Sequence, residues 1–289
     1  MTKGMNPYRH FVSETARLVS GGKNLPLGGL PPSPRPEISP DAPRVLIFSP
    51  HPDDECVVGA LPLRLLREAK MNVVNVAVTL GSRKDRQTAR LEELRLACDY
   101  LGFGLLQTRA SGLERINPAT RAQEPVYWRE CVETVAKILA LQQPGVLFFP
   151  HEADWNTTHI GTHLLLMDAL QLQLAKFACY VVETEFWGAM TAPNLLVESS
   201  VEDVADLAAA LSFHAGEVGR NPYHLRLPAW MQDNVRRGSE LVGRQGAVAP
   251  DFTFATVYRV RKWAQGRLTD ITSGGKFLSR DANLGLLFA

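Results

Sequence analysis

From residue 44 the chain alternates short apolar runs with longer amphipathic stretches. The runs Arg-Val-Leu-Ile-Phe-Ser (44–49), Asn-Val-Val-Asn-Val-Ala-Val-Thr (72–79) and Gly-Val-Leu-Phe-Phe-Pro (145–150) are almost continuously apolar. Such runs predict strands buried on both faces, and 104–108 and 177–184 predict two more. Between them Val58, Leu61, Leu65, Leu66 and Ala69 recur at helical spacing and predict a helix over 57–70. Helices are also expected over 85–101, stopped by Gly102 and Gly104, over 126–142, and from 157 or 158 to about 174. The polar stretch 110–125 reads as a loop over a site. Strands alternating with helices define an α/β fold, a three-layer sandwich with a mostly parallel sheet. Ligands in such folds sit beyond the carboxyl ends of the strands.

The two ends differ from this core. Residues 8–19 predict a short helix, and 21–43 is rich in Gly and Pro, an extended arm that sustains neither helix nor sheet. Beyond residue 200 the pattern predicts helices over 201–214 and 229–242, a loop over 221–228, a strand over 252–260, and a tail. The expected organisation is an arm (1–43), a core (44–200), and a C-terminal α/β extension (201–289) completing the same domain.

Composition narrows the functions. Hydrophobic residues make up 45% and charged residues 21% of 289 residues, ordinary for a globular protein, and a net charge of +1 gives no field for nucleic acid. Cys56, Cys98, Cys131 and Cys179 are widely spaced in apolar surroundings, as expected of reduced core cysteines in a cytoplasmic protein. No apolar run is long enough for a bilayer, so no membrane partner is expected. The absence of a Gly-rich phosphate loop argues against a nucleotide cofactor.

Candidate chemistry gathers behind two of the strands. Ser49-Pro50-His51-Pro52-Asp53-Asp54-Glu55 packs a histidine and three acids behind the first. Ionisable groups crowded at a strand end are costly unless they bind a metal or do acid–base work. The second cluster runs from His151 to His163, with Thr157 or Thr158 as the expected helix cap and His159 near the first turn. One divalent ion accounts for these groups. His51, Asp54 and a histidine of the second cluster would be ligands, with water in the fourth position as in catalytic zinc. Asp53, beside a ligand, faces that water as general base.

Pro50-His51-Pro52-Asp53-Asp54-Glu55 resembles the signature of the LmbE/PIG-L-like N-acetylglucosaminyl deacetylases. The resemblance runs from about residue 44 to 169. It takes in Gly81, Arg90-Leu91-Glu92-Glu93 before Leu101-Gly102, and the late histidine helix. It implies a Rossmann-like sheet and zinc-dependent amide hydrolysis, with Fe²⁺ or another divalent ion as the alternative metal. It further implies His51, Asp54 and His159 as ligands, Asp53 as base, and Arg90 as a binder of the sugar's polar groups. Where the family carries an acid histidine this chain has Asn156, an oxyanion donor that cannot protonate the leaving amine. His163, His214, Asp154 or water is left to do so, with Asp154 and His214 also expected to meet substrate. Glu183, Glu185 and Trp187 are expected either to line the pocket or to pack and form ion pairs, and Tyr223, His224 and Trp230 are weaker suggestions.

The expected function is removal of an acetyl group from an N-acetylated amino sugar or its conjugate, with a homo-oligomer left open by family precedent. The competing readings are another metal hydrolase such as a phosphoesterase, which usually needs carboxylates for two ions, and a sugar-binding protein that kept the metal site.

Overall fold

Alternate residues of the first strand, β1 (Arg44–Ser49), enter different cores. Val45 and Ile47 pack with the helices Leu61–Arg67, Gln87–Leu101 and Val201–Ser212, whereas Leu46 and Phe48 pack with Pro125–Gln142 and Thr157–Gln171. Side chains alternate along a strand, so a run with no polar position must be covered on both sides. The computed structural model describes residues 6–288. It shows a mixed α/β fold with a central, mostly parallel sheet.

After β1 come β2 (Asn72–Ala77), β3 (Gly104–Gln107), β4 (Val146–Pro150) and β5 (Cys179–Thr184). They are followed by β6 (Leu195–Ser199), β7 (Phe254–Ala264), β8 (Arg267–Asp270) and β9 (Lys276–Leu278). The order is β3-β2-β1-β4-β5-β7-β6-β9, with β8 on β7. The first five pair in parallel, and β7 runs antiparallel between β5 and β6. Leu46 faces Leu147 and Ile47 faces Phe148 in the β1–β4 register, so these two strands release their following loops side by side.

Four local expectations are corrected. The helix expected over 57–70 is two pieces, Asp54–Val57 and Leu61–Arg67, broken at Gly59 with φ +87°. The buried Tyr258 hydroxyl occupies the break, donating to the Val58 carbonyl at 2.9 Å and accepting from the Leu61 N–H at 3.4 Å. The stretch expected as a loop over 110–125 holds a helix, Pro118–Gln123, whose cap is Asn117 accepting from the Thr120 N–H at 2.9 Å. The loop expected over 221–228 contains the 3₁₀ turn Tyr223–Leu225 and the start of the helix Leu227–Gly243. β6, β8 and β9 were not expected, being five residues or fewer and without an apolar alternation of their own.

All four cysteines are free and buried. Arg64, 1% exposed, donates to Glu68 and to the carbonyls of Glu198, Ser279 and Arg280, tying the helix Leu61–Arg67 to the chain's far end. The helix Tyr8–Gly22 buries no side chain, but the arm after it is held, the Gly28 N–H donating to Ser212 Oγ at 3.1 Å. No helix among the described residues is long and apolar enough to cross a membrane.

A Cβ at residue 59 would lie 2.3 Å from the Tyr258 hydroxyl and would also take up a positive φ. Gly59→Ala is therefore expected to cost roughly 3 kcal/mol in chemical denaturation, the sum of backbone strain and overpacking.

Candidate active site

The loop after β1 turns on itself and spends its carboxylates doing so. Asp54 Oδ2 accepts from the His51 N–H at 2.8 Å, and Glu55 Oε2 accepts from the Asp53 N–H at 2.9 Å. Asp53 itself sits at φ 119°, ψ −25°, a region that costs a residue with a side chain on the order of 1–3 kcal/mol. Such strain persists only where its surroundings over-determine it.

The loop after β4 leads into the helix Thr157–Gln171, and its cap is Asn156 rather than Thr157 or Thr158. The Asn156 side-chain oxygen accepts from the Thr158 N–H at 2.9 Å. Capping satisfies one of the orphan N–H groups of the first turn and sets the helix phase. That phase turns the first-turn His159 toward the other loop and leaves His163, one turn on, against β4.

Three polar atoms then converge. His51 Nδ1 lies 3.2 Å from His159 Nε2 and 3.5 Å from Asp54 Oδ2, and His159 Nε2 lies 3.3 Å from the same Asp54 oxygen. An ion with bonds of about 2.0–2.1 Å to tetrahedral ligands separates them by about 3.3 Å, so the triangle has the dimensions of one tetrahedral face. The donor set, two imidazoles and a carboxylate, also suits a borderline divalent ion such as zinc. Residues present and ion fit each other.

Electrostatics points the same way. Burial works against a charged His159, but Asp54 and Asp154 outweigh it and push its pKa up to about 10. Burial likewise opposes ionisation of Asp54, and His159 and His51 overcome it, holding this carboxyl well below the usual range. The cluster thus demands a positive charge at its centre, which a proton or a metal ion can supply. Asp53 behaves oppositely: burial and the neighbouring Asp54 raise it to about 6 against the pull of His214, Arg90 and Tyr223.

The other candidates are placed as follows. Asp154, expected at the substrate, is 1% exposed and faces His159 Nδ1 across 3.5 Å. It accepts from the N–H groups of Asn156, Trp187 and Gly188, so its oxygens are engaged with the His159 ring and the surrounding backbone. Phe186 stands edge-on to His159 with ring centres 5.0 Å apart. His163, expected as a catalytic acid, turns its Nδ1 to the Pro150 carbonyl at 3.0 Å and toward Glu183 at 3.6 Å. His214, expected at the substrate, is fully buried with Nε2 2.7 Å from Glu55 Oε1. Glu183 is held by Arg259 and Arg261, and Glu185 by Arg237, which are structural ion pairs.

Arg90 donates to the Pro52 carbonyl at 2.7 Å, stands 3.7 Å from Asp53, and lines a cleft of about 660 Å³ that opens at His51. Gly81, at φ +85°, lets the guanidinium pass, since a Cβ there would lie 2.4 Å from it. A larger groove of about 770 Å³ lies among the helices Pro118–Gln123, Pro125–Gln142 and Thr157–Gln171, away from every clustered histidine. Tyr223, only a weaker suggestion from the sequence, donates its hydroxyl to Asp53 Oδ2 at 2.5 Å, a contact that sequence reasoning did not foresee. No local signal marks it, because it arrives from 170 residues away.

A histidine–aspartate–histidine cluster stands at the carboxyl rim of a Rossmann-like sheet, with a second aspartate beside it, and its donors are of the kind that could hold one divalent ion. Residues 46–170 match the family described as PIG-L, GlcNAc-PI de-N-acetylase. The comparison with curated proteins returned no match. Among solved structures, the zinc-inhibited form of teicoplanin deacetylase Orf2 is similar at 15% identity and TM-score 0.57, over 79% of this chain and 100% of that one. N,N'-diacetylchitobiose deacetylase from Pyrococcus horikoshii is similar at 14% identity and TM-score 0.54, over 92% and 96%. GalB, the 4-carboxy-2-hydroxymuconate hydratase from Pseudomonas putida KT2440, is similar at 16% identity and TM-score 0.53, over 75% and 95%. A hydratase on the same fold means that the fold alone does not decide the reaction.

Two expectations about the metal follow. His159→Gln abolishes stoichiometric binding of Zn²⁺, whereas His163→Gln, which keeps a donor toward Pro150, retains it; elemental analysis of the purified variants checks both. Asp154→Asn weakens Zn²⁺ binding about 10- to 100-fold in chelator competition, because the charge that orients His159 is gone.

Proposed function

We propose that the chain is a divalent-metal-dependent N-deacetylase of an N-acetylated amino sugar or its conjugate. The observation that carries this reading is the His51–Asp54–His159 triangle, with Asp53 beside it and a polar cleft opening from it. His51, Asp54 and His159 would hold one ion, Zn²⁺ or another divalent metal. When bound, it would supply Lewis-acid activation of the water and the acyl carbonyl.

The remaining work falls to the chain's own residues. Asp53 takes a proton from the attacking water as the water's oxygen bonds to the acetyl carbon. The C–N bond then breaks, its electron pair stays on nitrogen, and that nitrogen needs a proton. The three side chains suggested as its source fit poorly: His163 faces Pro150, His214 is bound to Glu55, and Asp154 faces His159. Asp53, carrying the proton it has just gained, is the group beside the site that can return it. Its pKa of about 6, raised by burial and Asp54, suits a group that must both take and give a proton near neutrality. Arg90 and the polar wall of the cleft would hold the sugar.

The phosphoesterase reading is weaker. The second acidic cluster, Glu152–His163–Glu183, is occupied by Arg259 and Arg261, so it does not offer a second ion a place. The basic residues that follow β2, Arg83, Lys84 and Arg86, which a phosphate would be expected to meet, lie within ion-pair distance of Asp85, Glu114 and Glu93.

The metal-loaded protein is expected to release free amine from N-acetylglucosamine conjugates in a fluorescent primary-amine assay. Asp53→Ala, with metal content unchanged, is expected to lose on the order of 10²–10⁴-fold in kcat. Phosphate release without amine would overturn this in favour of a phosphoesterase. A fully metallated protein that yields neither product across a broad panel would point to a binding protein.

A further inference from the structure

We infer that the segment 213–225, which lies outside the family-matched stretch, is what positions Asp53, His214 acting through Glu55 and Tyr223 acting directly. The inference rests on reading Asp53 as the general base and names the residues that let it act.

The argument begins with the strained peptide. Asp53 is held at φ 119°. Its N–H is directed at Glu55 Oε2 at 2.9 Å, and that carboxylate is fully buried. A buried carboxylate needs its lone pairs satisfied. The other oxygen, Oε1, meets His214 Nε2 at 2.7 Å and the Cys56 thiol at 3.1 Å. His214 is itself fully buried, between the helices Val201–Ser212 and Ala215–Val218, so its ring cannot swing to solvent. The chain of contacts runs from a rigid element to a fixed carboxylate to the strained N–H. A pair that merely filled space would have no reason to end on that peptide.

The side chain is held from the same segment. Tyr223 Oη donates to Asp53 Oδ2 at 2.5 Å, and the tyrosine ring is braced edge-on by Trp187 with centres 5.9 Å apart. Arg90 approaches the same oxygen at 3.7 Å while anchored on the Pro52 carbonyl. With Oδ2 committed, proton transfer falls to Oδ1. His214 and Tyr223 touch none of the three predicted metal ligands in these contacts, so they are positioning residues for the base alone.

The test uses the full-length, metal-loaded enzyme and its apo form. Tyr223→Phe and His214→Leu are expected to lower kcat about 10- to 100-fold, the size of effect a small misplacement of a reacting group produces. KM and Zn²⁺ affinity by chelator competition should stay within twofold. His214→Gln, whose amide can still donate to Glu55, is expected to recover most of the loss. Unchanged kcat in both Tyr223→Phe and His214→Leu would overturn the inference, as would an equal loss of Zn²⁺ affinity. Tyr223 is only half buried, so its phenylalanine variant decides the matter if His214→Leu does not fold.

A second measurement needs no activity. In apo protein, Asp53→Gly is expected to melt several degrees above Asp53→Ala, because glycine accepts the positive φ. In a His214→Leu background that gap should close. A missing gap, or one that persists undiminished, would sink the inference. If wild-type enzyme releases no amine from any substrate, the deacetylase reading fails, and the melting comparison still decides whether His214 holds this peptide.

Discussion

The parallel pairing of β1 with β4 is the constraint on which the site depends. Two loops about a hundred residues apart in sequence leave adjacent strands on the same rim, because the register sets Leu46 beside Leu147. A strand running the other way would send its loop to the opposite edge. Burial on both faces keeps the pairing in register, since a slip of one residue would exchange every side chain between the two cores. The long-range juxtaposition of His51 and His159 is thus a by-product of apolar packing in the middle of the sheet.

The charges at the rim answer one another. Asp54 lies within 3.5 Å of two imidazoles, and Asp154 approaches His159 from its far side. Two carboxylates around two rings leave an unmet demand for positive charge, which the surrounding burial makes more acute. Asp53 is spared that role by its backbone. Its unusual φ turns its side chain toward Tyr223 and Arg90, so two neighbouring aspartates with the same chemistry serve opposite electrostatic ends.

Much of this was legible in the sequence, for local reasons. The β1 run and the crowding of His51, Asp53 and Asp54 behind it are both matters of neighbouring residues, so pattern and chemistry could be read together. That His159 rather than His163 stands with His51 and Asp54 has its physical basis in the cap at Asn156, one residue before the expected position. What escaped reading depended on partners distant in sequence. Gly59 breaks a well-patterned helix because Tyr258 occupies the gap. β6, β8 and β9 are strands chiefly because β7 or β6 offers them an edge. Asp154, expected from its place in the second cluster, and His214, expected from the resemblance, are both buried, with partners in His159 and Glu55.

The arm whose Gly28 N–H meets Ser212 joins the list of distant supports, since Ser212 directly precedes the segment that carries His214. This arrangement has a consequence for a chain as it emerges from the ribosome. His51, Asp54 and His159 are all made before residue 160, whereas His214 and Tyr223 come more than fifty residues later. The residues proposed to hold the cation are therefore encoded ahead of those proposed to position the base.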